Sequence, residues 1–270
     1  HMVAGTYEKL YYVNPSLTVT DITPSSGFTT GSVSGALNTG FGGGFYGLTN
    51  YGRAPASSGV YAEATTWSLD TWGEYLLAVS STDGKLLEWQ GNVSANAATV
   101  ANAPTGNNAM VVTEERFVFC LGAGGNPRKV AWSDKENNTV WNATATNEAG
   151  DMELQTNGQI MCGVRMRGAT LILTDTDAHV ATYSGAPFVY GFQRVGTACG
   201  VASRKGAVAI DEGAFWMGKK GFFTFDGSTA KEIPCEVADY IFDDMNQSQV
   251  SKVYAVHNSQ FGEIWWFYPS

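Results

Sequence analysis

Short apolar runs recur along this chain, each broken by a Gly, Asp or Asn turn and answered by a second run that closes on an aromatic residue. Tyr75-Leu76-Leu77-Ala78-Val79 is followed by the turn Thr82-Asp83-Gly84-Lys85 and then by Leu86-Leu87-Glu88-Trp89. That order predicts a β-hairpin, because Asp-Gly supplies the positive φ that tight hairpin turns require. The unit returns at Arg116 to Cys120 with Lys129 to Trp132, at Thr170 to Leu173 with His179 to Tyr183, and at Ala214 to Met217 with Phe222 to Phe225. Glu263 to Phe267 reads as one more first strand without its partner.

Aligned on Leu76, Phe117, Leu171, Phe215 and Ile264, the first strands repeat about every 47 residues on average, and Trp89, Trp132, Tyr183 and Phe225 keep a similar step. A drifting repeat of that length, made only of strands, matches four-stranded propeller blades. An additional pair, Lys9 to Val13 with Leu17 to Ile22, precedes the series. The expected fold is therefore all-β: one β-propeller domain over residues 1–270 with about six blades, five or seven being the neighbouring counts. The alternative is a β-sandwich or two small β domains.

Two segments leave the pattern. Residues 25–60 are a long Gly-rich insertion with interleaved aromatics, too poor in Lys to be a phosphate loop, since no Gly-Lys-Ser/Thr follows. Residues 236–245 predict one short helix with Val237, Tyr240, Ile241 and Met245 on one face and with Glu236 and Asp239 near its N-terminus.

Composition narrows the function classes. Of 270 residues, 44% are hydrophobic, enough for a large core, but no apolar run approaches the roughly 20 residues of a membrane-spanning helix. The balance of 25 acidic against 16 basic residues, net −9 with no basic block, argues against specific nucleic-acid binding. Cys120, Cys162, Cys199 and Cys235 lie far apart, without metal-ligand spacing, and read as reduced core residues. The start at His1-Met2 resembles a cloning remnant and the chain stops directly after an aromatic run, so it is read as a piece of a longer protein.

Candidate chemistry is sparse. His179 and His257 sit in β-rich runs without a nucleophile motif, and each is expected as a partly exposed strand residue. Asp175/Asp177 and Asp243/Asp244 are the closest carboxylate pairs a glycosidase could use, but hairpin-turn chemistry accounts for the first pair and a helix end for the second. Asp175-Thr176-Asp177 and Asp134-Lys135-Glu136-Asn137-Asn138 lack the spacing and closing Glu of a calcium loop, so no metal and no cofactor is expected. Arg165 and Arg167 would share one strand face, and the eight Trp, most at blade-equivalent positions, are expected between sheets. Ser81-Thr82-Asp83-Gly84 and Thr224-Phe225-Asp226-Gly227 are one residue out of register with the repeated turn of sialidase-like propellers.

Four stretches carry a resemblance: Thr66 to Trp89, Ala131-Trp132-Ser133-Asp134, Gly221 to Gly227, and Glu263 to Ser270. Together they resemble passages in virion proteins of tailed bacteriophages, in particular the β-propeller tail-hub or packaged-DNA stabilisation proteins of short-tailed phages. The resemblance implies a non-enzymatic structural protein of the phage tail or head-tail connection, made in the host cytoplasm. Its implied partners are other virion proteins (portal, adaptor or distal tail components), with ring homo-oligomers in the virion and no catalytic residues carried over. An acidic surface suits a passage for DNA, because it does not hold phosphates. The alternative is a glycan-binding or glycan-hydrolysing propeller module of a phage tail. Subunit contacts are expected on Phe41, Phe45, Tyr46 and Tyr51, aromatics on a glycine scaffold.

Overall fold

The computed structural model describes residues 2–35 and 63–270. Over them the protein is all-β, in six antiparallel sheets. The first is three-stranded: β1 (Met2–Gly5), β2 (Leu10–Val13) and β3 (Val19–Asp21). The second comprises β4 (Trp67–Trp72), β5 (Tyr75–Ser80), β6 (Leu86–Trp89) and β7 (Ala98–Thr99). The third holds β8 (Ala109–Val112), β9 (Val118–Leu121), β10 (Lys129–Trp132) and β11 (Gly150–Glu153). The fourth holds β12 (Ile160–Met166), β13 (Ala169–Thr174), β14 (Asp177–Gly185) and β15 (Val189–Thr197). In the fifth are β16 (Ala207–Ile210), β17 (Gly213–Met217), β18 (Phe222–Phe225) and β19 (Ala230–Ile233). A short helix, α1 (Ala238–Asp244), leads to the sixth, the hairpin β20 (Tyr254–Asn258) and β21 (Glu263–Phe267).

Within each sheet the strands follow chain order, so every connection is a hairpin. The opening strands β4, β8, β12, β16 and β20 lie alongside one another in succession, which makes them the inner strands of consecutive blades of a β-propeller. The end of the series meets its beginning: the side chain of Gln249 bonds both the N–H and the C=O of Gly35, and Lys252 Nζ lies 3.5 Å from Ser34 Oγ.

Among the described residues five apolar layers hold the sheets together, one between each sheet and the next along the chain. Strand β9 shows how the sequence supplies them. Phe119 and Leu121 point into the layer shared with the fourth sheet, beside Ile160, Ile172 and Tyr190, while Val118 and Cys120 point into the layer shared with the second, beside Leu77 and Val79. Alternate residues of a strand face opposite sides. A blade covered on both faces therefore needs apolar residues at successive positions, which is why these strands read as unbroken apolar runs. At the third seam Tyr190 meets Phe117 and Phe119 edge-on, at ring centroid separations of 5.3 and 4.7 Å, a geometry the ring quadrupoles favour.

Three expectations are corrected. The strands aligned as first strands are the second strand of each blade, β5, β9, β13, β17 and β21, each preceded by an inner strand. Inner strands such as Ala207–Ile210 are short and carry no turn signature of their own, so they escape a reading based on aromatic hairpins. The run Glu263 to Phe267 accordingly has its partner, β20, before it. Third, the helix is shorter than 236–245, because Val237 caps it and Met245 is already extended. Ile241, Phe242 and Met245 pack against Phe222 and Val253, whereas Val237 and Tyr240 stand exposed.

Most Trp side chains serve the seams as expected. The indole N–H groups of Trp67, Trp132, Trp141 and Trp216 donate to the backbone carbonyls of Thr6, Glu148, Asn138 and Cys199. Trp265 departs from this, being 47% exposed. The four cysteines are free thiols, three of them buried.

Candidate functional site

Propeller geometry gathers the segments that enter the inner strands at one end of the ring, and a cavity of about 470 Å³ opens there. Glu63 precedes β4, Gln159 precedes β12 and Arg204 precedes β16, while Ser81 and Thr82 come from the β5–β6 turn and Thr30 from the segment after β3. Arg204 is the most enclosed charge in this group, its side chain 9% exposed, and its Nη1 donates to Glu63 Oε2. Its Nε is shut off from solvent and has no hydrogen-bond partner among the described residues. The wall beside it is built of hydroxyl contacts: Thr65 Oγ1 lies 2.9 Å from Thr82 Oγ1 and accepts from the Ser32 N–H at 2.9 Å. Gly31 is required there, because a Cβ would fall 1.7 Å from Thr65 Oγ1.

A second cavity, about 640 Å³, lies between the fourth and fifth blades, lined by Asp175, Thr176, Lys219, Lys220, Phe223 and Glu232. Asp175 accepts from the Gln159 N–H at 2.8 Å and faces Lys219 Nζ at 3.6 Å. Its charge is thus used within the wall.

Asp177 is placed quite differently from Asp175. It begins β14, is 5% exposed, and Oδ1 accepts from Thr156 Oγ1 at 2.9 Å and from Thr174 Oγ1 at 2.5 Å. The Asp175/Asp177 pair is split between a cavity wall and the interior, so the two carboxylates do not face one cleft. His179, expected on a partly exposed strand, is buried at 4% exposure, with Nε2 3.2 Å from Asp177 Oδ1. The correction follows from blade packing: β14 is a third strand with both faces covered at this point. Burial lowers the His179 pKa and nearby Arg194 lowers it further, against the opposing pull of Asp177.

A pH dependence follows. The folded state holds His179 neutral with a pKa below the ordinary value of about 6.5, so the unfolded chain binds more protons as pH falls through that value. The stability contributed by the neutral ring is complete above about pH 6.5 and is lost as pH falls towards the folded pKa. Urea unfolding at pH 7.5 and 5.5 should show a larger loss for the wild type than for His179→Gln; equal losses would mean the ring is not held neutral.

The remaining sequence candidates do not converge. His257 is exposed on β20, and Asp243 and Asp244 end α1, where Asp244 accepts from the Tyr268 hydroxyl at 3.3 Å. Asp134 accepts the Glu148 N–H at 2.8 Å, across the connection from β10 to β11. Arg165 donates to the Val112 carbonyl at 3.4 Å, and Arg167 lies beyond the end of β12. Among the described residues, no three His, Cys, Asp or Glu side chains are grouped as metal ligands. Burial pushes the thiols of Cys162 and Cys199 up to about 12 and about 11, which keeps them protonated and unreactive. Phe41, Phe45, Tyr46 and Tyr51 lie outside the described residues. The grouping of Glu63, Gln159 and Arg204 escaped the sequence reading altogether. Nothing in their spacing marks them, and only the ring brings three blade entrances to one mouth.

Comparison with known proteins places the fold alone. No family model and no curated protein matches the chain. A streptogramin B lyase structure superimposes with a TM-score of 0.51 at 11% identity, over 97% of this chain and 84% of that one. The AfRom2 CNH domain gives a TM-score of 0.46 at 13% identity over 74% of this chain, which spans 64% of that domain's length. A catalytically inactive virginiamycin B lyase from Staphylococcus aureus, solved with quinupristin, gives 0.47 at 7% identity, over 75% of this chain and 69% of that one.

Proposed function

We propose that this protein is a non-enzymatic structural component of a bacteriophage tail or head-tail connection, working through protein-protein assembly. The observation that supports assembly is the outer face of the sixth sheet. Tyr254 pairs with Phe267 and Val256 with Trp265 across the hairpin, and these four are 46, 41, 42 and 47% exposed. The Tyr254 and Phe267 rings stack at 4.7 Å, and Phe261 in the connecting turn is 67% exposed.

The opposite face is used internally, where Trp266 packs on Phe222 at 5.0 Å. At the other seams such a face lies under the next blade. Strand β21 also pairs on one side only among the described residues, so an apolar face and an edge are presented together. The virion context comes from the resemblance of Thr66 to Trp89, Gly221 to Gly227 and Glu263 to Ser270 to phage tail-hub proteins. The occupant we assign is a second copy of the chain, since ring subunits meet through complementary patches of one polypeptide.

Each buried aromatic contributes about 1.5–3 kcal/mol to association, so Trp265→Ser with Phe267→Ser should weaken it by at least about 100-fold. Sedimentation velocity across a concentration series reads this directly. The expected result is an oligomer for the wild type and a folded monomer for the double variant. A wild type that stays monomeric at high concentration, or a variant that assembles equally well, overturns the assignment.

A further inference from the structure

We propose that a cavity between the outer strands of the third and fourth blades, where His179 and Arg194 meet, binds a small carboxylate anion. It holds about 260 Å³ and lies between β15 and the end of β11, with Leu154 and Phe192 as apolar walls. His179 and Arg194 are direct partners across the β14–β15 ladder, so both project from one face of the sheet. His179 carries the argument. Its side chain is 5% exposed, and Nε2, 3.2 Å from Asp177 Oδ1, is shut off from solvent. A carboxylate at that distance favours the neutral tautomer with its proton on Nε2. Nδ1 then keeps its lone pair; it makes no hydrogen bond among the described residues and, unlike Nε2, is not shut off. A buried ring thus lines the cavity with one nitrogen oriented by a carboxylate and the other unused.

The charges around the cavity select the ligand. Arg194 has no ion pair and no side-chain hydrogen bond among the described residues, so its planar fork of donors is open to the two oxygens of one carboxylate. Glu153 on β11 also lines the cavity, but its charge is paired with Arg128, and Asp177 is held behind the ring by Thr156 and Thr174. From β13 the residue opposite His179 is Ile172, which carries no charge. The unbalanced group is therefore a cation. Burial above all, and Arg194 beside it, keep the His179 ring neutral against the pull of Asp177. A carboxylate on Arg194 cancels that repulsion and offers an oxygen to Nδ1, so docking draws one proton from solvent onto Nδ1. A volume of about 260 Å³, below the roughly 300–1,000 Å³ of drug-sized sites, restricts the ligand to a few heavy atoms.

The proposal is independent of assembly through the sixth sheet, and the two can fail separately. The test is imidazole NMR on the full chain, with His1→Gln and His257→Gln leaving His179 as the only histidine. Acetate is the probe, acetamide its uncharged isostere and inorganic phosphate the competing anion. The expected result is a saturable shift of the His179 signal by acetate, with the His179 titration moved upward in the complex. By linkage, acetate should bind on the order of tenfold more tightly at pH 5.5 than at pH 7.5. Arg194→Gln should weaken acetate binding by about tenfold or more. Arg194 is exposed, so this variant keeps the fold. Trp265→Ser with Phe267→Ser should bind acetate unchanged. No response to acetate, an equal response to acetamide, phosphate bound in preference, or Arg194→Gln binding like the wild type each overturns the proposal.

Discussion

Trp216→Ala is expected to lower the melting temperature by roughly 10 °C, the largest effect of any single truncation in this fold. Trp216 is fully buried near the end of β17, between the fourth and fifth blades, amid Leu171, Leu173, Val201 and Phe225. Its ring lies nearly parallel to Phe223 at 5.9 Å, and its indole N–H donates to the Cys199 carbonyl at 2.6 Å. Truncation removes the ring contacts, leaves a cavity across the whole seam and strips the carbonyl of its donor, for a total of about 3–5 kcal/mol. Trp216→Phe is the milder change, since it keeps one aromatic ring and loses the donor together with the second ring's smaller volume, at about 2–3 kcal/mol. Calorimetry of the two variants beside the wild type decides this. A melting temperature within two or three degrees of wild type for Trp216→Ala would show that the seam yields without opening the blades.

Gly200→Ala should be nearly as damaging, although it adds only one carbon. A Cβ at Gly200 would lie 2.1 Å from the carbonyl carbon of Asp175, 2.2 Å from its oxygen and 2.3 Å from the Thr176 nitrogen. These are backbone atoms, so no rotamer change relieves the collision. The backbone there is tied on both sides: the Asp175 N–H donates to the Gln159 carbonyl at 3.0 Å, the Cys199 N–H to Thr176 at 3.1 Å, and the Val201 N–H to Thr174 at 2.9 Å. Relief requires the fifth blade's entry segment to move off the fourth blade, at about 1–3 kcal/mol or more. The informative control is Gly168→Ala in the β12–β13 turn, where φ is +72° and a Cβ would meet nothing within 4 Å. It incurs only the left-handed backbone penalty of about 1–2 kcal/mol. Urea midpoints should therefore fall further for Gly200→Ala than for Gly168→Ala, with little change in the slope of the transition. Equal midpoints would contradict the close approach of the two blades.

Much of the architecture was legible because its signals are local. Asp83-Gly84 marks a turn through the backbone freedom of one glycine, and Gly84 has φ of +66° in the β5–β6 connection. Lys129–Trp132 and Phe222–Phe225 form strands with the bounds their apolar runs suggest. The inner strands were less visible. Ala207–Ile210 is half-buried along its length and has no aromatic or turn to announce it, so the repeat was recognised one strand out of phase. Asp177 and His179 resemble ordinary turn and strand residues in sequence, and their burial beside Thr156 and Thr174 depends on covering both faces of the fourth blade.

By itself the sequence determined that this chain is built of repeated antiparallel strands, about six units long, with apolar residues on both faces of its blades. Those properties follow from neighbours a few residues apart: alternation along a strand, and turn residues that permit a positive φ. Only the tertiary structure decided which strand lines the ring, which carboxylates point inward, and that Glu63, Gln159 and Arg204 share one cavity while Tyr254, Val256, Trp265 and Phe267 share one open face. A blade that is apolar on both sides leaves no pattern to say which neighbour each side will meet. Groups from separate blades become neighbours through ring packing, and local sequence spacing does not encode it.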